Sequence, residues 1–476
     1  MSLSVEPKIP RADRSAETAS AVGATPGPDR GSVRMKAVAD LFAKPAVYGS
    51  LIPAVALMNA LTGMVLPTLM VPRVFGEYAL VVTLFQYGLI FDLGISQLID
   101  RWIPALLGRQ RLADAERFGQ HLLWLRIYVG FAAYGGAAAV LVGLAAVHRL
   151  PFTLEAGLLS GLAGVLYMVA LGPACLHRAR SERGHYAIAV SVLSVGLVFA
   201  RLGGLYVGGV IGCFAALALW YFCFSVVFHR ANPPRFNERP GAGEAASVIA
   251  QGIPFFATSL IWAFYITANR WFASPLIEPV SFGQFAFSAN IFALLVGSGG
   301  AFSAFYYPRI VSRLARGGRF SLSHELFLDW SKLAIAVGLI VAIGIALSGI
   351  LIPFIYPIYA HAVPTARVLL IAVPAMVLAS WLMPVLLSAG RRPWLDGILI
   401  YPMATAILVI GIRIMFLRWD VIGIAAASTL SALALVAMQL VSLRSTRILR
   451  MRDAGALFGI TLFVTAALCG LSWAMS

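Results

Sequence analysis

Phe75-Gly76-Glu77-Tyr78-Ala79 lies in a short polar break between two apolar runs, and it occurs again as Phe282-Gly283-Gln284-Phe285-Ala286 in a break of the same kind. Each copy follows an apolar run that opens with Ile-Pro, at Ile52-Pro53 and Ile253-Pro254. Each leads into another run with a Leu/Ile-Phe step, at Leu84-Phe85 and Ile291-Phe292. Self-similarity at this spacing argues for two related halves. Two related halves predict two helical bundles with one substrate path between them.

The chain of 476 residues is 60% hydrophobic and only 12% charged, where a soluble domain carries roughly 25%. A soluble core of this size has no room for so much apolar surface, so an integral membrane protein is expected. Its spans should be helices, because lipid leaves no water to satisfy free backbone groups. Runs of ~20 apolar residues match the bilayer core, whereas barrel strands would alternate. Thirteen such runs follow one another, near 47–71, 78–98, 120–146, 153–176, 185–203, 206–228, 249–272, 282–306, 331–355, 364–388, 394–417, 421–443 and 454–474. Only Arg201 and two glycine pairs mark the turn between the fifth and sixth.

The net charge of +16 invites a nucleic-acid partner, but the placement of the basic residues accounts for it better. With the N-terminus in the cytoplasm, every inner loop is basic. Arg101, Arg109, Arg111 and Arg117 come first, and Arg178, Arg180 and Arg183 next. The series ends with Arg444, Arg447, Arg450 and Arg452. This is the bias that sets orientation in a bilayer. Six spans per half is an even number, so the halves are parallel repeats about an axis along the membrane normal. The expected organisation is a disordered cytoplasmic tail over 1–45, a six-helix bundle over 46–228 and a cytoplasmic linker over 229–248. A second bundle follows over 249–445, with an extra C-terminal transmembrane helix over 446–476. The tail has no apolar core of a signal peptide.

Cys175, Cys213, Cys223 and Cys469 fall inside apolar runs, form no CxxC and have no histidine at metal-ligand spacing. They read as small buried core residues, with no metal site and no cofactor. No phosphate-cradling glycine loop occurs, so energy for any transport would come from an ion gradient (H+ or Na+) or from the substrate gradient.

Val71-Pro-Arg-Val-Phe-Gly-Glu-Tyr-Ala-Leu80, followed by Phe91-Asp-Leu-Gly-Ile-Ser-Gln-Leu-Ile-Asp-Arg101, resembles the opening of the polysaccharide (O-antigen type) flippases. These belong to the multidrug/oligosaccharidyl-lipid/polysaccharide exporter superfamily. Ile253-Pro254, Asn269-Arg270, the second Phe-Gly copy and Tyr356–Ala366 extend the resemblance over roughly 47–445. The family often has Asp-Arg where this chain has Asn269-Arg270. The resemblance implies a MATE-like V of two six-helix bundles in the bacterial inner membrane. It implies a lipid-linked oligosaccharide, on an undecaprenyl-pyrophosphate-type carrier, as substrate, with other polysaccharide assembly proteins as partners. No enzyme activity is implied.

A charge inside a span costs about 2.5–3.5 kcal/mol on insertion scales and needs a reason. Asp92 and Arg126 are placed by the runs in the inner third of the bilayer. Arg126 is a candidate contact for an entering pyrophosphate, with Asp92 holding it or carrying a coupling cation. A structural Asp92–Arg126 ion pair, or an Arg126 that snorkels, is the alternative. Arg270 and Arg201 lie near outer helix ends and are either outer anion contacts or interface residues. Asn59, Gln86 and Asn290 sit mid-span, as sugar contacts or as packing bonds worth about 0.6 kcal/mol each. Trp262 and Tyr265 either stack on sugar or pack. Asp329 and Lys332 read as a local surface pair, and Asp114-Ala115-Glu116 as a solvated face rather than a catalytic acidic pair. Rival functions are a cation-coupled multidrug exporter, which would call for more embedded carboxylates, and a peptidoglycan-precursor flippase. From another class comes a membrane glycosyltransferase or polymerase, which needs a large outer loop that the short outer breaks do not supply.

Overall fold

The computed structural model describes residues 40–42, 44–231, 241–315, 319–389, 393–445 and 449–475. The expected tail over 1–45 lies almost wholly outside the described residues, as does the middle of the linker over 229–248. Among the described residues every regular element is a helix. They are α1 (Pro45–Val65), α2 (Pro72–Gly88), α3 (Ile95–Gly108), α4 (Leu112–Ala146), α5 (Leu154–Ala179), α6 (Arg183–Ala231), α7 (Ala242–Ala273) and α8 (Pro279–Ala315). After them come α9 (Arg319–Ile355), α10 (Val363–Ile371), α11 (Val373–Ala389), α12 (Pro393–Ser445) and α13 (Met451–Ala474). Short 3-10 turns over Leu66–Leu69 and Pro357–Ala362 precede α2 and α10.

Eight of these helices are long and apolar enough to cross a membrane, nine if α10 and α11, bent by 42°, are one span. Two of the eight are hairpins. In α6 the chain reverses at Gly208 and Gly209, the latter at φ 59°, and Trp220 Nε1 donates back to Leu193 O at 3.2 Å. In α12 it reverses at Trp419 and Asp420. There Ser431 donates across to Ala404 O at 2.8 Å, and Gln439 donates to Ala379 O of α11 at 3.2 Å. The fifth and sixth runs are therefore two limbs, and the second glycine pair makes the turn. Outward-facing apolar groups are fully presented, with Phe199, Phe354 and Leu417 at 73%, 83% and 87% exposure. Such a surface suits hydrocarbon rather than water.

The second apolar run, read as one helix over 78–98, is broken. Residues 89–94 form a turn between α2 and α3, with Leu93 at φ 49° and Gly94 at φ 81°. Irregular backbone at membrane depth is tolerated only where protein or a water-filled cavity satisfies it. The tenth run is also interrupted, at Ala372, just before Pro374, which has no N–H to continue the ladder.

Contacts divide the chain into two compact units, one of residues up to Thr62 with Val81–Ala257, the other of Gly63–Leu80 with Thr258–Ser476. In the first, Ile99 and Ile103 of α3, Leu122 and Leu123 of α4 and Leu176 of α5 share one apolar core. In the second, the two Phe-Gly copies meet. A methyl on Gly283 would overlap the carbonyl of Pro72, and one on Gly76 would stand 2.9 Å from the Phe282 ring. Only glycine permits this approach of α2 and α8. Around the crossing, Phe75 packs edge-on to Tyr359 at 5.9 Å and Phe287 stacks on Tyr359 at 4.6 Å. Tyr359 donates its hydroxyl to Met70 O at 2.9 Å, and Tyr356 donates to Met64 O at 2.8 Å. The repeated motif is thus a helix-crossing device.

Two of the four cysteines are buried, Cys175 and Cys213, whereas Cys223 and Cys469 are exposed on apolar helix faces. All four were expected inside. Apolar surroundings in the sequence do not separate a core from a bilayer. Asp329 and Lys332, expected to pair, form no ion pair among the described residues. Asp114 is held by Arg111 Nε at 2.7 Å, and Glu116 lies 3.7 Å from Arg180.

Candidate functional site

In the first unit, α4 carries Arg126 at 3% exposure. Its Nη1 reaches only the Cys175 thiol of α5, at 3.7 Å, and its Nε has no acceptor. No carboxylate lies within ion-pair distance of it among the described residues. Gly172 of α5 faces its Cδ, 3.8 Å from where a methyl would sit. A guanidinium held this way has lost water without gaining a counter-ion, at a cost of several kcal/mol. An anion brought to it would recover that cost, and the planar fork suits phosphate oxygens.

Asp92 is also buried, at 3% exposure, but its carboxylate is engaged by three donors. One oxygen accepts from Gly94 N at 3.0 Å, and the other accepts from Ser96 N at 2.9 Å and from the Ser96 hydroxyl. Asp92 therefore sits in the turn, not in a helix, and caps the first turn of α3. Capping supplies acceptors to amides that have no partner in the helix. The alternative of an Asp92–Arg126 ion pair is not formed. The sequence signal was present in Asp92-Leu-Gly94, an acidic side chain ahead of a glycine that can take φ > 0. Gly94 in turn touches Gly252 of α7, whose carbonyl a methyl at 94 would overlap.

Asn59 on α1 is half-buried and its Oδ1 accepts nothing. Gln86 on α2 is half-buried. In the second unit Arg270 is 6% exposed and engaged with neighbours. Asn269 beside it is 5% exposed with its Oδ1 unsatisfied. Sequence reasoning passed over Asn269 except as a departure from an Asp-Arg pattern. Asn290 donates to Gly63 O at 3.1 Å and so supplies a donor to a carbonyl in the last turn of α1. Trp262 packs on Tyr401 at 5.2 Å and near Tyr265 at 5.9 Å. Tyr265 is buried, with its hydroxyl 3.2 Å from that of Ser431. The site residues therefore divide into two kinds. Arg126, Asn59 and Asn269 keep unused polar atoms, whereas Asp92 and Asn290 have committed theirs to the backbone.

At the α5–α6 turn, His177 Nδ1 meets Glu182 Oε2 at 2.5 Å. That contact holds the Glu182 carboxyl below its ordinary range. Nearby, Arg178 makes a two-pronged bond to Asp100 of α3 at 3.1 and 2.6 Å.

No protein-family model matches the chain, and no curated protein matches it in sequence. Solved structures do match in shape. An inward-facing multidrug resistance MATE family transporter of the MOP superfamily superposes with a TM-score of 0.60 at 12% identity, over 88% of this chain and 98% of that one. A mutant of the Vibrio cholerae MATE transporter VcmN gives 0.59 at 12% identity, over 87% and 98%. A MOP superfamily transporter from Pyrococcus furiosus gives 0.52 at 14% identity, over 89% and 96%. At such identities the likeness is one of fold. The chain is an all-α integral membrane protein with the fold of the MATE transporters.

Proposed function

We propose that the chain is a flippase that moves a lipid-linked oligosaccharide, on an undecaprenyl-pyrophosphate-type carrier, from the cytoplasmic to the outer leaflet of the bacterial inner membrane by alternating access. In this reading two six-helix repeats, over 46–228 and 249–445, supply the moving parts, and the N-terminus is cytoplasmic. The observation that carries it is Arg126, a buried guanidinium with no carboxylate beside it. A pyrophosphate supplies the missing counter-ion. Arg270 is a second anion contact, and the unused Oδ1 of Asn59 accepts from a sugar hydroxyl. The resemblance of the Phe-Gly and Asp92-Leu-Gly94 segments to polysaccharide flippases supplies the glycan.

Asp92 favours this over a cation-coupled drug exporter. A coupling carboxylate must be able to take up and release a cation, and Asp92 already has three donors. The test is deletion in the host, followed by location of lipid-linked glycan. Accumulation on the cytoplasmic leaflet with loss of surface polysaccharide is the expected result. Unchanged glycan with new sensitivity to cationic drugs would overturn the proposal in favour of drug export.

A further inference from the structure

His177, Glu182 and His185 converge at the turn that joins the last turn of α5 to the first turn of α6. One ligand atom from each lies within 4.8 Å of the others, and this is the one such cluster of three histidine, cysteine or acidic side chains among the described residues. The two imidazoles stack with centroids 5.1 Å apart and planes 22° apart. His177 and Glu182 reach the surface with 12% and 40% of their side chains exposed, and His185 is exposed, so an ion has an entry path.

The backbone fixes the geometry. Ser181 adopts φ 62°, and Glu182 N donates to His177 O at 2.8 Å. Arg180 N donates to Leu176 O at 2.9 Å, and Tyr186 N donates to Glu182 O at 3.2 Å. The three side chains are thus presented from one ordered turn.

We propose that His177, Glu182 and His185 bind a divalent transition-metal cation of the zinc class and staple α5 to α6. Two imidazoles and one carboxylate suit zinc, nickel or copper, whereas magnesium and calcium prefer all-oxygen sets. With metal–ligand bonds of about 2.0–2.2 Å in a tetrahedron, donor atoms stand ~3.3 Å apart. To reach that spacing, the His177–Glu182 pair at 2.5 Å opens on binding and the wider distances, within 4.8 Å, close. Three protein ligands leave one position for water. The arginines at 178, 180 and 183 do not forbid a cation. Arg178 is neutralised by Asp100, and Arg180 lies 3.7 Å from Glu116.

The site is independent of what the protein transports. The test uses tag-free full-length protein in detergent, titrated with ZnCl2 by calorimetry and followed by thermal unfolding. Wild type should bind one Zn2+ saturably and unfold at a higher temperature with it. Replacing even a group behind a metal ligand costs about 10–100-fold in affinity. His185→Ala and Glu182→Gln, which remove ligands, should each lose at least tenfold. His148→Ala, an exposed histidine elsewhere, should bind as wild type does. Absence of saturable binding to wild type, or equal binding by His185→Ala and Glu182→Gln, overturns the proposal.

Discussion

Replacing Arg126 with methionine separates an anion contact from a structural arginine, because the two roles move stability in opposite directions. The side chain is 3% exposed, touches one thiol at 3.7 Å and leaves Nε without an acceptor. No buried carboxylate is orphaned when it goes. Exchanging buried ionic groups for apolar ones of similar volume is often neutral or stabilising by about 1–4 kcal/mol. Removing one half of a true buried pair costs about 3–5 kcal/mol instead. Arg126→Met should therefore keep or raise the unfolding temperature of the ligand-free protein in detergent. Its effect on ligand is the reverse. A hydrogen bond to a charged group is worth about 1.5–3 kcal/mol, and tenfold in affinity is ~1.4 kcal/mol. Loss of one such contact should weaken pyrophosphate-lipid binding by roughly 10–150-fold, read by calorimetry in nanodiscs, with flipping in proteoliposomes falling in parallel. An unfolding temperature lowered in line with a broken pair, or wild-type affinity for the lipid, would refute the reasoning.

Asp92→Ala removes a helix cap and should destabilise by about 0.5–2 kcal/mol, measured by thermal unfolding. Asp92→Asn should stay near wild type in both stability and transport, whereas loss of transport with normal stability would point to ion coupling. Gly283→Ala places a methyl on the Pro72 carbonyl and should cost about 1–3 kcal/mol as overpacking; an unchanged unfolding temperature would mean that α2 and α8 do not cross there. Tyr359→Phe leaves the buried Met70 carbonyl without its donor and should cost ~1–3 kcal/mol, by the same assay.

The all-helical class and the order of the helices were legible because hydrocarbon thickness sets run length. Even the fused pair over 185–228 separates at a glycine pair that the sequence displays. The break at 89–94 was not legible from hydropathy. Phe91, Leu93 and Ile95 are as apolar as any helix interior, and the turn depends on Asp92 finding Gly94 N and Ser96 in space. The role of the Phe-Gly motif was legible only as repetition. That its two copies touch is a fact of packing between residues some two hundred apart. The role of Asn290 is not legible in the sequence, because which face of a helix meets a neighbour is not written in a run apolar on all sides. The histidine–glutamate cluster has no sequence motif of its own, since His177, Glu182 and His185 come together around the left-handed Ser181.

Arg126 and Asp92 are equally buried, and the difference between them argues for the sign of the cargo. A buried charge whose hydrogen bonds are complete belongs to the architecture, since a ligand would have to compete with the backbone for it. Asp92, with three donors, is of that kind. A buried charge left incomplete costs stability that a bound counter-ion would recover. Arg126 is the incomplete one, and it is positive. A carrier of cationic drugs needs the converse, an unsatisfied carboxylate facing its path. Under the proposed function, the charge left wanting is answered by the anionic headgroup of a phosphate-bearing lipid.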